Sequence, residues 1–253
     1  MMKLTLWWFT TGALEAVKQK PIIVVIDALR ATSFIVTALA LGAKYIIPVS
    51  TVKEALDIKR KHPEVLLAGE VEGSRIPGFD LGPSPLELYK VDVKNKIIIH
   101  RSTSGVQVLC TLKGYDEVYV GSFLNAKAVA NYVYERAKRL GKHIAIILAG
   151  YRRTHFALDD FLCAGTIANH LPLNDAELPD SILAAKYLYK AYKDKILDIV
   201  RVSLSSRHIS KLGYSKDVEY CSQVNKYNVI PSLTKIDNGI YAIVDVMRDR
   251  GNS

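Results

Sequence analysis

Cysteine is scarce. Cys110, Cys163 and Cys221 are the three in a chain of 253 residues, each more than fifty positions from the next. No Cys-x-x-Cys pair exists, which excludes a zinc knuckle and a thioredoxin-type redox motif. A sparse, odd set of thiols suits a reducing compartment, so a cytoplasmic location is expected. Long apolar runs are also missing: none approaches the roughly 18 uninterrupted residues of a membrane span, so no membrane partner is expected. The apolar start, Met1 to Phe9, is followed by Thr10 and Thr11 and by no small-x-small cleavage site, and it reads as a first β-strand rather than a leader. Tandem repeats and low-complexity tracts are absent as well, which excludes a solenoid.

Familiar phosphate and metal signatures are equally lacking. A Cys-x5-Arg loop needs Arg six positions after a cysteine, where Asp116, Asn169 and Tyr227 stand instead. Arg207-His208 is followed by Ile209, so no Arg-His-Gly motif exists, and Leu29 occupies the place of the second acid in a D-x-D-x-T motif. There is no G-x-x-x-x-G-K-[ST] loop, no G-x-G-x-x-G turn and no H-x-x-x-H pair among the six histidines. Any phosphate chemistry must use another arrangement.

Positive charge is abundant: 34 Lys+Arg against 25 Asp+Glu give a formal net charge of +9. Such a charge suits either a nucleic acid or a small anion steered into a positive cleft. The basic residues alternate with acids along the helical segments, and neither an RNP-like aromatic strand nor a basic arm is present, so a nucleic-acid partner is not expected. At 49% hydrophobic residues the chain can bury a large core.

Blocks rich in β-branched residues recur at 22–26, 45–49, 65–68, 97–100, 118–120, 143–148 and 241–244. Continuous apolar blocks of this length suit strands covered on both faces. Between them the spacing predicts helices over 33–41, 52–61, 105–112, 126–140, 157–170 and 181–197. Strand and helix in alternation predict a three-layer α/β/α domain spanning 1–253, with a largely parallel or mixed sheet, or two closely joined α/β subdomains. Gly69 to Pro85 holds four glycines and three prolines and is expected to be a functional loop. The polar stretch 201–231, rich in serine, lacks periodicity and is a candidate cap or subdomain.

In open α/β sheets, ligands bind beyond the carboxyl ends of the strands. The residues there form a coherent set. Asp27, Arg30, Thr32 and Ser33 follow the first block; Arg101, Ser102, Thr103, Ser104 and Gly105 follow the fourth; Ser122 and Asn125 follow the fifth; Arg152 and the pair Asp159-Asp160 follow the sixth. Hydroxyls and arginine at helix starts fit an anion site. Ordinary Ser/Thr capping accounts for the same residue types, above all at Ser122 and Asn125. Clustered carboxylates beside anion sites would repel a phosphate unless a hard divalent cation lay between. Mg²⁺, held by one or two carboxylates with phosphate and water, fits that need. Asp27 and Glu70, with Asp80 or Asp160, are the candidate metal ligands. Arg30, Arg101 and the hydroxyls are the candidate anion ligands. A metal- or carboxylate-oriented water is the expected nucleophile, with Asp27 or Ser33 as a covalent alternative.

These motifs are recognisable together. Asp27-Ala-Leu-Arg-Ala-Thr-Ser, Ala68-Gly-Glu, Ile76-Pro-Gly-Phe-Asp-Leu-Gly-Pro-Ser-Pro-Leu-Glu87, Gly121-Ser-Phe-Leu-Asn-Ala and Leu158-Asp-Asp-Phe-Leu-Cys-Ala-Gly165 resemble, in order, the 2-phosphosulfolactate phosphatase family. The resemblance runs from about Ile22 to Gly165 and continues more faintly from Ser203 to Pro231. It implies a magnesium-dependent phosphohydrolase of α/β fold that converts (2R)-2-phospho-3-sulfolactate to 3-sulfolactate, a step toward coenzyme M. Asp27, Arg30, Thr32, Ser33, Glu70, Asp80, Ser84, Ser122 and Asn125 match the family motifs. Two departures fall near the expected substrate contacts: Ser102-Thr103-Ser104-Gly105 replaces a Thr-Thr-Asn-Gly run, and Tyr151-Arg152-Arg153 is bulkier and more basic than the family pattern. A phosphohydrolase acting on another small phosphorylated acid is compatible with both, and so is a homodimer.

Overall fold

A computed structural model describes residues 2–236 and 239–249. The first half of the chain runs β1 (Leu4–Trp8), α1 (Phe9–Val17), β2 (Ile22–Ile26), α2 (Ala31–Ala40), β3 (Tyr45–Pro48), α3 (Val52–Lys61), β4 (Leu66–Val71), β5 (Ser74–Arg75), β6 (Ile97–Arg101) and α4 (Gly105–Thr111). It continues with β7 (Val118–Gly121), α5 (Ala126–Leu140), β8 (Ile144–Leu148), α6 (Leu158–His170), α7 (Asp180–Tyr192), α8 (Ile196–Arg201), α9 (Leu204–Lys211), α10 (Ser215–Cys221), β9 (Pro231–Lys235) and β10 (Tyr241–Asp245). The strands form one mixed sheet in the order β1-β8-β2-β7-β9-β10-β3-β6-β4-β5, with helices on both faces.

Alternation along the central strand shows why three layers form. Every residue of β2 is buried. Ile22, Val24 and Ile26 join Val129 and Val133 of α5 and Leu162 and Ile167 of α6. Ile23 and Val25 face the other way, onto Phe34, Ile35 and Leu39 of α2 and Val108 and Leu109 of α4. Because successive side chains of a strand point to opposite faces, an unbroken apolar run must be covered twice.

The sheet contains two parallel sets. β1-β8-β2-β7 run together, β3-β6-β4 run together, and the antiparallel hairpin β9-β10 joins them. Counted along the sheet, the two sets run in opposite directions. Twist of about 20–25° per strand, accumulated over the five steps from β2 to β6, brings their carboxyl ends back toward each other. The Gly105 N–H at the start of α4 donates a 2.6 Å hydrogen bond to Asp27 Oδ2, at the end of β2. The cleft forms where those ends meet.

Some expected elements change. The stretch after Trp8 is helix α1, which no side-chain cap announces. The segment expected as one helix over 181–197 is broken between Tyr192 and Ile196 into α7 and α8. The aperiodic stretch 201–231 contains α9 and α10. Their Ile209 and Val218 share a core with α5 and α6, so these short helices are secured by packing, not by their own propensity. No helix among the described residues is long and apolar enough to cross a membrane.

Helices α6 and α7 are in close contact at Gly165, where an added Cβ would lie 2.0 Å from the Ala185 carbonyl oxygen. Gly165→Ala must push the helices apart. It is expected to lower the unfolding free energy by about 1–3 kcal/mol, read from a shifted urea midpoint; an unchanged midpoint would show that this packing is not a constraint.

Candidate active site

A cleft of about 660 Å³, partly open to solvent, lies over the carboxyl ends of β2, β4, β6 and β8. Asp27, Arg30, Glu70, Ser102, Thr103, Ser104, Arg152 and Asp160 line it, as the sequence led one to expect. Asp159, singled out in the sequence as a pair with Asp160, and Tyr151, beside the expected substrate contacts, line it too, together with His100, Ser205 and His208, to which the sequence assigned no role. The Gly69 to Pro85 segment reaches it through a turn at Glu72-Gly73, between β4 and β5, and through Pro83.

Three buried aspartates set the chemistry of the floor. Asp27 is 8%, Asp159 1% and Asp160 2% exposed, so none is solvated as a carboxylate normally is. Burial pushes Asp27 up to about 7; the Gly105 N–H opposes this and the charges of Glu70 and Asp159 add to it. Burial likewise pushes Asp159 up to about 6, against the nearby Ser205 and Ser203 hydroxyls. Asp160 is raised well above the usual range, first by burial and then by Asp159 and Asp27. The three differ in what they hold. Asp160 is fully engaged: Oδ1 accepts from Ala28 N–H at 2.8 Å and Oδ2 from Gly150 N–H at 2.9 Å, stapling the turns after β2 and β8. Asp159 Oδ1, by contrast, is buried and has no partner among the described residues.

The position of Asp27 is enforced sterically as well. A Cβ on Gly105 would fall 2.6 Å from Asp27 Cβ and 2.7 Å from its Oδ2, so only glycine lets the α4 backbone approach this carboxylate. Glu70 has less freedom. Its Oε1 accepts from Thr103 N–H, and its Oε2 accepts from Thr103 Oγ1 at 2.9 Å and Gly73 N–H at 2.6 Å, tying β4 to the turn after β6.

Several residues expected at the substrate serve the framework instead. Thr32 Oγ1 donates to the Asp27 carbonyl at 2.8 Å, and Ser33 Oγ to the Ala28 carbonyl at 2.9 Å, closing the turn into α2. Neither lines the cleft, and this placement gives no support to Ser33 as a nucleophile. Ser122 and Asn125 form a reciprocal capping box, and the Asn125 amide also donates to the carbonyls of Val120 and Val229. Asp80 lies outside the cleft, accepting from Leu67 N–H at 2.7 Å and facing Lys59 at 3.2 Å. Arg101 donates to the Glu70 carbonyl and braces that loop rather than lining the cleft.

The donors that remain for a ligand are few. The Ser104 hydroxyl and the exposed Arg152 guanidinium face the cleft and make no hydrogen bond among the described residues. His100 is nearly fully buried beside Phe34, with ring centroids 4.6 Å apart, and burial lowers it to about 3, so its imidazole is neutral.

Among the described residues no group of three or more His, Cys, Asp or Glu side chains is arranged to hold a metal ion. The donors nevertheless fit Mg²⁺, which commonly takes one or two carboxylates and completes its shell with water and phosphate. Asp27 and Asp159 are hard oxygen donors on the cleft floor, and the orphaned Asp159 Oδ1 is the kind of atom a cation would satisfy. Glu70 and Asp160 have both oxygens held by short hydrogen bonds and Asp80 is elsewhere, whereas Asp27 Oδ1 has only a long 3.4 Å bond from Ala31 N–H, so the candidate ligand pair is Asp27 and Asp159.

A mixed α/β sheet with a buried acidic floor, a free hydroxyl and a free arginine in one cleft makes a site suited to a small anion. A profile described as 2-phosphosulpholactate phosphatase matches residues 9–235. The chain is 41% identical over 221 residues to a probable 2-phosphosulfolactate phosphatase of Caldanaerobacter subterraneus subsp. tengcongensis, covering 86% of this chain and 88% of that one. A protein of the same description from Clostridium acetobutylicum is 38% identical over 223 residues, covering 87% and 92%, and one from Thermotoga maritima 36% over 220 residues, covering 87% and 91%. The chain belongs to the 2-phosphosulpholactate phosphatase family. That membership supports a phosphatase, a hydrolase of a small phosphorylated acid.

The raised carboxyls have a consequence for stability. Between the ordinary 3.8 and about 7, the folded protein keeps a proton on Asp27 that the unfolded chain releases. Its contribution to stability therefore falls as pH rises through that window. Asp27→Asn removes the penalty: without divalent cations it is expected to melt above the parent at pH 8, with the gap closing toward pH 4. A lower melting temperature for the variant at pH 8 would contradict the assignment.

Proposed function

We propose that the protein is a magnesium-dependent phosphatase that hydrolyses (2R)-2-phospho-3-sulfolactate to 3-sulfolactate and phosphate. The observation that carries this reading is the pair Asp27 and Asp159, buried on the floor of a cleft whose free donors suit an anion. Family membership supplies the reaction class, and the description of the relatives as probable 2-phosphosulfolactate phosphatases favours this substrate.

The substrate would carry phosphate, carboxylate and sulfonate groups. Such a ligand needs compensating charge at both ends. Mg²⁺ held by Asp27 and Asp159 would neutralise charge on the phosphoryl oxygens and make a nearby water more acidic. A cation at this pair would hold Asp27 ionised in spite of its burial, and the carboxylate would orient the attacking water. Asp160 keeps the turns after β2 and β8 together, so the two acids that act are fixed relative to each other. Ser104 and Arg152 offer donors to the oxyanions of the substrate. Leu29 and Ile209 line the cleft, and their apolar surface would limit water beside the substrate. A second reading, hydrolysis of another phosphorylated acid, draws on Tyr151 and Arg152, which give this cleft a bulky basic rim.

Phosphate release from 2-phospho-3-sulfolactate, 2-phospholactate and 2-phosphoglycerate, with Mg²⁺ or with EDTA, tests both readings. The sulfonated substrate is expected to have the highest kcat/KM. Activity should vanish in EDTA, and Asp159→Asn should lower kcat by about 10²-fold or more. Full activity in EDTA would remove the metal from the account, and preference for another acid would transfer the assignment to the second reading.

A further inference from the structure

Asp217 of α10 belongs to no motif on the first five strands, yet it pairs with Arg30, which lines the cleft. Its Oδ2 accepts from Arg30 Nη1 at 2.8 Å, and its Oδ1 accepts from Ser84 Oγ at 2.5 Å. Both side chains of the ion pair are 3% exposed. The other arm of Arg30, Nη2, donates to the Gly73 carbonyl at 2.8 Å, and the Tyr214 ring lies under the guanidinium with its centroid 4.3 Å from Cζ. Gly73 in turn donates to Glu70. One carboxylate thus ties α10, the segment at Ser84, the β4–β5 turn and the start of α2 around a single guanidinium.

Stability alone is a poor reason for such a pair. Removing two charges from water costs about as much as their attraction returns, so well-packed apolar residues would serve as well. The pair instead holds a planar donor in place beside the acidic floor. Arg30 lines the cleft, and its guanidinium has five N–H donors, of which Asp217 and Gly73 take two. A side chain this long would otherwise sample many rotamers. Gripped along an edge and supported on a face, it has one orientation available.

We propose that Asp217 is a positioning residue that fixes the Arg30 guanidinium so that its remaining donors meet the phosphoryl group. The inference rests on the phosphatase reading above. Misplacement of a group that binds the transferring phosphoryl affects the transition state more than substrate binding.

The test is a double-mutant cycle on the full chain, measuring kcat, KM and melting temperature for wild type, Asp217→Asn, Arg30→Lys and the double variant. Each single substitution is expected to lower kcat by about 10²-fold with a much smaller change in KM. The double variant should be no slower than the worse single one, because both remove the same placement. Losses that multiply, or a kcat retained in Asp217→Asn, would overturn the proposal. If Asp217→Asn does not fold, Ser84→Ala loosens Asp217 from its other side and should lower kcat at an unchanged melting temperature; an unchanged kcat there counts against the proposal. Should wild type release no phosphate from any substrate, the phosphatase reading has failed. The clamp is then judged by calorimetric binding of inorganic phosphate, which Asp217→Asn should weaken at least tenfold and which, if unaltered, contradicts it.

Discussion

Asp27, Asp159 and Asp160 are held out of water together, where the turn after β2 meets the start of α6, and each makes the others harder to ionise. Carboxylates in such a place are stable only if they keep their protons, find fixed donors or acquire a cation. The structure uses the second remedy in part. Backbone N–H groups of Ala28 and Gly150 serve Asp160, and that of Gly105 serves Asp27. Those bonds also determine how the turns after β2, β6 and β8 sit against one another, so the geometry of the cleft and the electrostatics of its floor are one problem. The unsatisfied Asp159 Oδ1 is what this arrangement leaves for something else to complete.

The sheet makes the meeting possible. Two parallel strand sets would ordinarily have separate carboxyl edges and separate sites. Inserting the β9–β10 hairpin between them reverses one set, and sheet twist brings the two edges back together. Acids then come from one set, and hydroxyls with Glu70 from the other. Helices α9 and α10, packed on the core shared by α5 and α6, close the remaining side with Ser205, His208 and the Asp217–Arg30 pair.

Much of the framework was legible in the sequence because single local signals decide it. The run Ile22 to Ile26 is a strand to the residue, and α3 and α5 have the expected bounds, since apolar spacing and a Thr51 cap mark α3 and a glycine at position 141 ends α5. Helix α1 and strand β9 carry no such signal: the one starts without a side-chain cap and the other begins on proline amid Ser and Thr. At the site, position along the chain identified the right turns but not the direction of side chains. Thr32, Ser33, Ser122 and Asn125 carry the polar groups of a binding site, yet they spend them on backbone partners. The reverse holds for Asp159 and Asp160, adjacent and alike in sequence, of which one staples two turns and the other leaves one oxygen without a partner among the described residues. Asp217 and His208 fall in a segment without periodicity, and packing alone brings His208 to the cleft and Asp217 to Arg30.

If the acidic floor is built to exchange protons for a cation, binding must release them. The most direct measurement is a calorimetric titration of Mg²⁺ into the metal-free protein near pH 6.5, repeated in buffers of different ionisation enthalpy. Net proton release on binding is predicted, and it should diminish in Asp27→Asn. Mg²⁺ binding without proton release, or with the same release in that variant, would contradict the account.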